Sequence, residues 1–163
     1  MGHRHDDRED LVGEHPFGDA GQIILLIVFL ILWVLDSFVF RFSTFLAGSA
    51  PLTIRLLLAG IIFAVGFYLG TKSMRIVFSE KQDSPRVIKK EIYSFMRHPM
   101  YMAMILFYVA LILTTMSLLS LALGILIFTF YNFIADYEEK LLEKKLGQDY
   151  REYKKEVPRW FPR

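Results

Sequence analysis

The sequence predicts an all-α polytopic membrane protein with about four transmembrane helices, a C-terminal helical hairpin and a cytoplasmic C-terminal segment. Of its 163 residues 54% are hydrophobic, against about 45–50% in soluble domains. These residues are clustered: 23–35 is an unbroken apolar run, and 99–135 carries no charged side chain. Because a bilayer core about 30 Å thick takes about 20 apolar residues per helix, such runs are typical of membrane spans.

The first two spans are predicted at about 21–46 and 52–70. Residues 1–20 are mostly polar and include six acidic side chains. No small-residue cleavage site follows the first apolar run, so we expect a retained span rather than a cleaved signal peptide. We therefore predict a mobile cytoplasmic N-terminal segment, followed by a single membrane domain over 21–163.

The long uncharged stretch is predicted to fold as two helices, at about 99–115 and 117–135. As one helix it would be roughly 55 Å long, and its middle contains turn-forming Thr and Ser residues around Ser117. The fourth helix is expected to continue past Asp136 into a charged segment. It should end at Gly147, since glycine commonly follows the last turn of a helix.

The distribution of basic residues predicts the orientation. Segment 71–98 carries seven Lys or Arg and segment 136–163 carries eight, whereas the predicted hairpin tip carries none. By the positive-inside rule, the N-terminus, segment 71–98 and segment 136–163 are cytoplasmic, and the protein lies in the inner membrane of the cell.

Several kinds of site are excluded or unsupported. The chain has no cysteine, which excludes disulfides, a thiolate nucleophile and cysteine-ligated metals. His3 and His5 are by themselves a weak signal for a metal site, and a solvated tail is the preferred interpretation, so no metal site is predicted. No glycine-rich dinucleotide fingerprint follows a strand. We expect membrane lipids and a lipophilic or lipidated substrate as partners, and no nucleic acid.

Polar residues surround Pro99, where the third span begins. Proline favours the first helical position, so Arg97 and His98 lie at a helix N-terminus, where backbone N–H groups and the helix dipole favour an anion. Tyr101 adds a hydroxyl group and a ring. The alternative is that these residues are ordinary components of the membrane interface, and this stretch alone does not decide between the two.

A carboxylate pair, Glu138 and Glu139, follows the fourth span. Because helices three and four are antiparallel neighbours, the pair is expected at the same membrane face as Arg97 and His98. Two carboxylates there suit ribose hydroxyls or a substrate cation. The alternative is a solvated helix with intrahelical salt bridges.

The tail is rich in aromatic and proline residues. Such a segment is either an interfacial anchor or a lid whose rings suit adenine and a sulfonium cation. The residues in question are Tyr150, Tyr153, Pro158, Trp160, Phe161 and Pro162.

In this order the motifs resemble the isoprenylcysteine carboxyl methyltransferase and phospholipid methyltransferase superfamily. The resemblance covers about seventy residues from Tyr93 onward. It implies a membrane-embedded methyltransferase dependent on S-adenosyl-L-methionine, which lies at the cytoplasmic ends of the last two spans under the C-terminal segment. The residues implied in cofactor binding are His98, Pro99, Tyr101, Glu139, Tyr150, Tyr153, Pro158, Phe161 and Pro162.

The acceptor decides which residues act in catalysis, and Arg97, Glu138 and Glu139 are the candidates. A carboxylate acceptor is ionised at pH 7 and needs no general base, so Arg97 would hold it. An amine or thiol acceptor requires a base, for which Glu138, Glu139 and His98 are available. Two other functions stay open: an NADPH-dependent membrane reductase of the sterol or steroid type, and a non-catalytic membrane scaffold.

Overall fold

The computed structural model describes residues 18–79 and 87–161, and within these ranges the chain is helical, with no strand. One turn of π-helix, Leu35–Phe40, continues the first helix, and short 3₁₀ turns occupy Phe45–Ser49 and Glu91–Ser94. The α-helices are α1 (Gly18–Val34), α2 (Leu52–Ser79), α3 (Pro99–Thr115), α4 (Leu118–Leu146) and α5 (Gln148–Glu156).

The helices have the lengths and surfaces of a membrane protein. Within the described ranges, three segments are long and apolar enough to cross a bilayer: Ala20–Phe40, Leu52–Val77 and Leu118–Leu146. The third predicted span, 99–115, corresponds to α3, which is apolar but only 17 residues long. Large apolar side chains such as Leu57 (63% exposed) and Leu126 (64%) cover the outside of the bundle, where lipid is the solvent that accepts them.

The first two helices differ from the predicted spans. The first span was expected to run to residue 46, but α-helical geometry ends at Val34 and the π turn ends at Arg41, which is left-handed (φ 52°). The Asp36 carboxylate accepts hydrogen bonds from the backbone N–H and hydroxyl of Ser43 and from the hydroxyl of Ser117. These contacts fold the chain back after the π turn.

The second helix is longer than predicted. It runs to Ser79 instead of ending at residue 70, because neither glycine nor proline occurs in 71–79 to stop it.

The hairpin between α3 and α4 confirms the predicted division of the uncharged stretch. Thr115 ends α3, Met116 takes a left-handed conformation (φ 51°), and Ser117 caps α4 by accepting a hydrogen bond from the Ser120 backbone N–H. As predicted, α4 continues beyond the apolar stretch and is followed by Gly147, whose φ is +59°.

Close packing sets the height of α3 in the bundle. A Cβ atom added to Gly66 on α2 would lie 3.1 Å from the carbonyl oxygen of Ala103 on α3, which is closer than Cβ atoms usually come, so the glycine allows the two helices to pack tightly here. On the other side, the Phe29 ring of α1 lies 4.7 Å from the Tyr108 ring of α3, centroid to centroid. With α4 antiparallel to it, α3 begins beside the charged end of α4.

Candidate active site

The site is built around the first turn of α3. Pro99 is the first residue of the helix, and His98, immediately before it, is 8% exposed. The rings of His98 and Tyr101 stack with their centroids 5.4 Å apart and their planes within 2° of parallel. Two polar rings are therefore fixed side by side at the end of the bundle.

Two consecutive carboxylates of α4 face these rings. The Nε2 atom of His98 lies 3.2 Å from Oε1 of Glu139. The Tyr101 hydroxyl donates a hydrogen bond to Glu138, and the second ring nitrogen of His98, Nδ1, is 3.7 Å from Oε2 of Glu138. The antiparallel hairpin thus brings together the Arg-His-Pro-x-Tyr stretch and the Glu-Glu pair, as expected.

Arg97 points into the same cluster and is largely occupied there. Its Nη2 atom lies 3.2 Å from Oε1 of Glu139, and Nη1 donates to the carbonyl oxygen of Lys154 at 3.1 Å. Its Nε atom is buried and has no hydrogen-bond partner within the described part of the chain. Arg97 therefore contacts the cluster through both terminal nitrogens, and its buried Nε–H lacks a partner within the described residues.

The C-terminal segment, residues 157–161, lies over the start of α3. The backbone N–H of Arg97 donates to the carbonyl oxygen of Pro158 at 3.0 Å, and that of His98 donates to the carbonyl oxygen of Arg159 at 3.4 Å. The Trp160 ring centroid is 5.9 Å from that of His98, and its Nε1 donates to Oδ1 of Asn132 at 2.9 Å. The C-terminal segment therefore covers the rings from one side.

A family model described as "Phospholipid methyltransferase" matches residues 52–149, from the start of α2 to the first turn of α5. The matched range contains the motifs around Pro99 and Glu138. The chain belongs to the phospholipid methyltransferase family. Among curated proteins, none matches.

Membership of the phospholipid methyltransferase family makes a membrane methyltransferase the activity to test. It favours that activity over a sterol-type or steroid-type reductase and over a non-catalytic scaffold. The match ends before the C-terminal segment, so that segment's contribution rests on its contacts with the cluster.

The remaining tail residues fall into three groups. Tyr150 and Tyr153 are buried in the packing of α5 against α4, and the Tyr153 hydroxyl donates to the carbonyl oxygen of Tyr93 at 2.6 Å. Phe161 is 71% exposed. Pro162, also predicted to bind the cofactor, lies outside the described residues. The contacts of the two tyrosines are those of structural residues, and their role in binding stays a prediction.

Sequence reasoning missed Arg159, which is central to the cluster. Its Nε lies 2.9 Å from Oε1 of Glu139, and its Nη2 lies 3.1 Å from Oε2 of the same carboxylate and 2.5 Å from Oδ1 of Asp136. Lys154, 3.5 Å from Oε2 of Glu139, was missed as well. A cation inside the stiff, aromatic sequence Pro-Arg-Trp-Phe-Pro was the available signal for Arg159.

The environment keeps the His98 imidazole neutral. Burial lowers its pKa below the ordinary 6.5, and the nearby charges of Arg97 and Arg159 lower it further, while the hydrogen bond to Glu139 works in the opposite direction. A neutral imidazole carries one N–H. Assigning that hydrogen to Nε2, which faces Glu139, leaves the lone pair on Nδ1, the atom beside Glu138.

Proposed function

We propose that the protein is an integral membrane methyltransferase that uses S-adenosyl-L-methionine. Its acceptor would be lipophilic, either an isoprenylcysteine-type carboxylate or another lipid-like group. The observation that carries the proposal is the cluster of His98, Tyr101 and Glu138 beneath the C-terminal segment, in a chain of a methyltransferase family.

The residues of the cluster fit the chemical groups of the cofactor. The rings of His98, Tyr101 and Trp160 offer faces for an adenine or a sulfonium. The Glu138 carboxylate is an acceptor suited to a ribose diol. The buried Nε of Arg97, which has no partner within the described residues, is a donor for a carboxylate. An orphan donor of this kind is costly to bury, and a bound carboxylate would satisfy it.

When bound, the cofactor supplies an electrophilic methyl group on its sulfonium sulfur. The chain's own part in the reaction is then alignment, exclusion of water and, where needed, removal of a proton. A carboxylate acceptor arrives ionised, and the Arg97 guanidinium would orient it without any base.

An amine or thiol acceptor must lose a proton, and His98 is placed to take it. In the assigned tautomer its Nδ1 carries a lone pair. The Glu138 carboxylate, 3.7 Å from that nitrogen, would stabilise the imidazolium that forms, and the Tyr101 hydroxyl holds Glu138 in place.

We further propose that both termini and the site face the cytoplasm and that the protein lies in the inner membrane. The supporting evidence is the concentration of Lys and Arg at one end of the bundle. A lipophilic acceptor would then approach sideways from the inner leaflet.

The proposal is tested by calorimetry on the purified protein in detergent. We expect S-adenosylhomocysteine to bind with micromolar affinity and NADPH to bind poorly, because its additional phosphates would lie near two glutamates. Preference for NADPH would favour the reductase, and binding of neither compound would favour the scaffold. Incubation of a lipid extract with methyl-labelled S-adenosylmethionine would then identify the acceptor.

A further inference from the structure

The two adjacent glutamates have different surroundings, and the difference assigns them different tasks. We propose that Glu139 is a positioning residue that, with Arg159, fastens the C-terminal segment over the site, and that Glu138 is the carboxylate that contacts the ligand. The second half of this inference rests on the proposed function, whereas the first half does not.

Glu139 is saturated with donors. Its Oε1 faces Nη2 of Arg97 at 3.2 Å, Nε2 of His98 at 3.2 Å and Nε of Arg159 at 2.9 Å. Its Oε2 faces Nη2 of Arg159 at 3.1 Å and Nζ of Lys154 at 3.5 Å. A carboxylate offers about four lone-pair sites, so five donors leave none for a ligand hydroxyl or a proton. The residue is also 1% exposed.

The donors come from three separate parts of the chain. Two of these parts, α5 and the C-terminal segment, also accept hydrogen bonds from the third, the residues before α3. Arg97 and His98 precede α3, Lys154 belongs to α5, and Arg159 belongs to the C-terminal segment. The Arg97 side chain donates to the Lys154 carbonyl, and the backbone N–H groups before α3 donate to the carbonyls of Pro158 and Arg159. Glu139 is therefore the shared anionic partner of cations from all three parts.

Glu138 is placed differently. Its side chain is 16% exposed, against 2% for the side chain of Glu139. It accepts the Tyr101 hydroxyl and lies beside Nδ1 of His98. Both of these partners belong to the start of α3 and not to the C-terminal segment, so we expect the removal of the Glu138 carboxylate to leave that segment attached.

Trp160 reports whether that segment is attached, since it directly follows Arg159 and lies against His98 and Phe128. The chain has two tryptophans, so a Trp33→Phe background leaves Trp160 as the only emitter. In that background, Arg159→Gln and Glu139→Gln should shift the emission to the red and raise iodide quenching several-fold. The matched control Glu138→Gln should leave both signals unchanged.

Two further variants separate fastening from a general loss of structure. Arg159→Lys keeps the charge but not the two-pronged geometry, so it should restore part of the protection from iodide. The double variant Arg159→Gln/Glu139→Gln should be quenched by less than the sum of the two single effects, because the two changes share the contact between Arg159 and Glu139.

Binding of S-adenosylhomocysteine tests the role of Glu138. Glu138→Gln should weaken it about tenfold, the order expected for a charge-assisted hydrogen bond, with the C-terminal segment still attached.

Unchanged quenching in Arg159→Gln and Glu139→Gln, or detachment in Glu138→Gln, would overturn the assignment. If Glu139→Gln does not fold, as judged by gel filtration, Arg159→Gln decides alone. If the unmutated protein binds no S-adenosylhomocysteine, the proposed function fails, and the fluorescence still decides the fastening.

Discussion

The Nε2 atom of His98 lies 3.2 Å from Oε1 of Glu139, although the two residues are 41 positions apart. One residue precedes α3, and the other lies near the end of α4, so the contact closes the open end of the hairpin whose tip is at Met116. A change at either residue therefore acts on both helices and on the C-terminal segment packed over them.

Removing one hydroxyl from Tyr101 should weaken ligand binding. The hydroxyl donates to Glu138, and hydrogen bonds to charged groups contribute about 1–3 kcal/mol. We expect Tyr101→Phe to bind S-adenosylhomocysteine more weakly by about this amount, measured by calorimetry. The matched control is Tyr68→Phe, which removes a hydroxyl from a 55% exposed side chain on α2 and should bind normally. Equal affinities in all three proteins would argue against a role for Tyr101.

Mild acid should destabilise the protein through His98. Its pKa is lowered in the folded state, mainly by burial, so the unfolded state binds the proton more readily. The contribution of the neutral His98 ring to stability is therefore fully present above pH 6.5, the ordinary pKa of histidine. It is lost as the pH falls from there toward the lower pKa of the folded state. Four charged side chains face the ring: Glu138, Glu139, Arg97 and Arg159. Burial raises the pKa of Glu139, but the hydrogen bonds from His98 and Arg159 outweigh it and hold that pKa at about 2, so this carboxylate stays ionised over the range.

The measurement is thermal unfolding in detergent at pH 7.5 and 5.5. The melting temperature of the wild type should fall further from pH 7.5 to pH 5.5 than that of His98→Asn, which has no imidazole to titrate. A pH dependence that persists unchanged in His98→Asn would assign the effect to other groups.

The same substitution at two glycines of α2 should have opposite effects. Alanine is more favourable than glycine in a helix by about 1 kcal/mol, and Gly60 has no neighbour within 4 Å of the added Cβ. At Gly66 the Cβ would lie 3.1 Å from the Ala103 carbonyl oxygen, and overpacking typically costs about 1–3 kcal/mol. Gly60→Ala should leave the melting temperature unchanged or raise it, whereas Gly66→Ala should lower it. A Gly66→Ala protein as stable as Gly60→Ala would show that α2 and α3 separate without cost.

The predicted orientation is testable because the chain has no cysteine. Single cysteines at Ser84 and Gln148 should react with an impermeant maleimide only after lysis. A cysteine at Leu119, which is 41% exposed at the tip of the hairpin, should react in intact cells. Thr115, at the same end of the hairpin, is a poorer position for the cysteine, because its hydroxyl accepts a hydrogen bond from Trp33 that the substitution would remove. The reverse labelling pattern would show that the protein has the opposite orientation in the membrane.

Features coded by adjacent residues were predictable from the sequence. Ser117 divides the uncharged stretch, and Gly147 ends α4, because a cap or a left-handed turn acts on its own segment. The meeting of His98 with the glutamates was also predictable, because an antiparallel hairpin leaves few alternatives.

Features that depend on distant partners were not predictable in this way. The π turn at Leu35–Phe40 follows from the contact of Asp36 with Ser117, 81 positions away. A position of the C-terminal segment over the site was one of the two interpretations of the sequence, but the pairing of Arg159 with Glu139, 20 positions away, is not encoded by any local pattern.

The approach of Gly66 to Ala103 also limits where a lipid tail can run. A methylene group needs about 3.5–4 Å to each neighbouring carbon, and at this level a single added Cβ would already lie only 3.1 Å from the carbonyl oxygen. At the level of Gly66 the seam between α2 and α3 therefore has no room for a hydrocarbon chain. The tail of an acceptor of the proposed kind would have to reach His98 without passing this point.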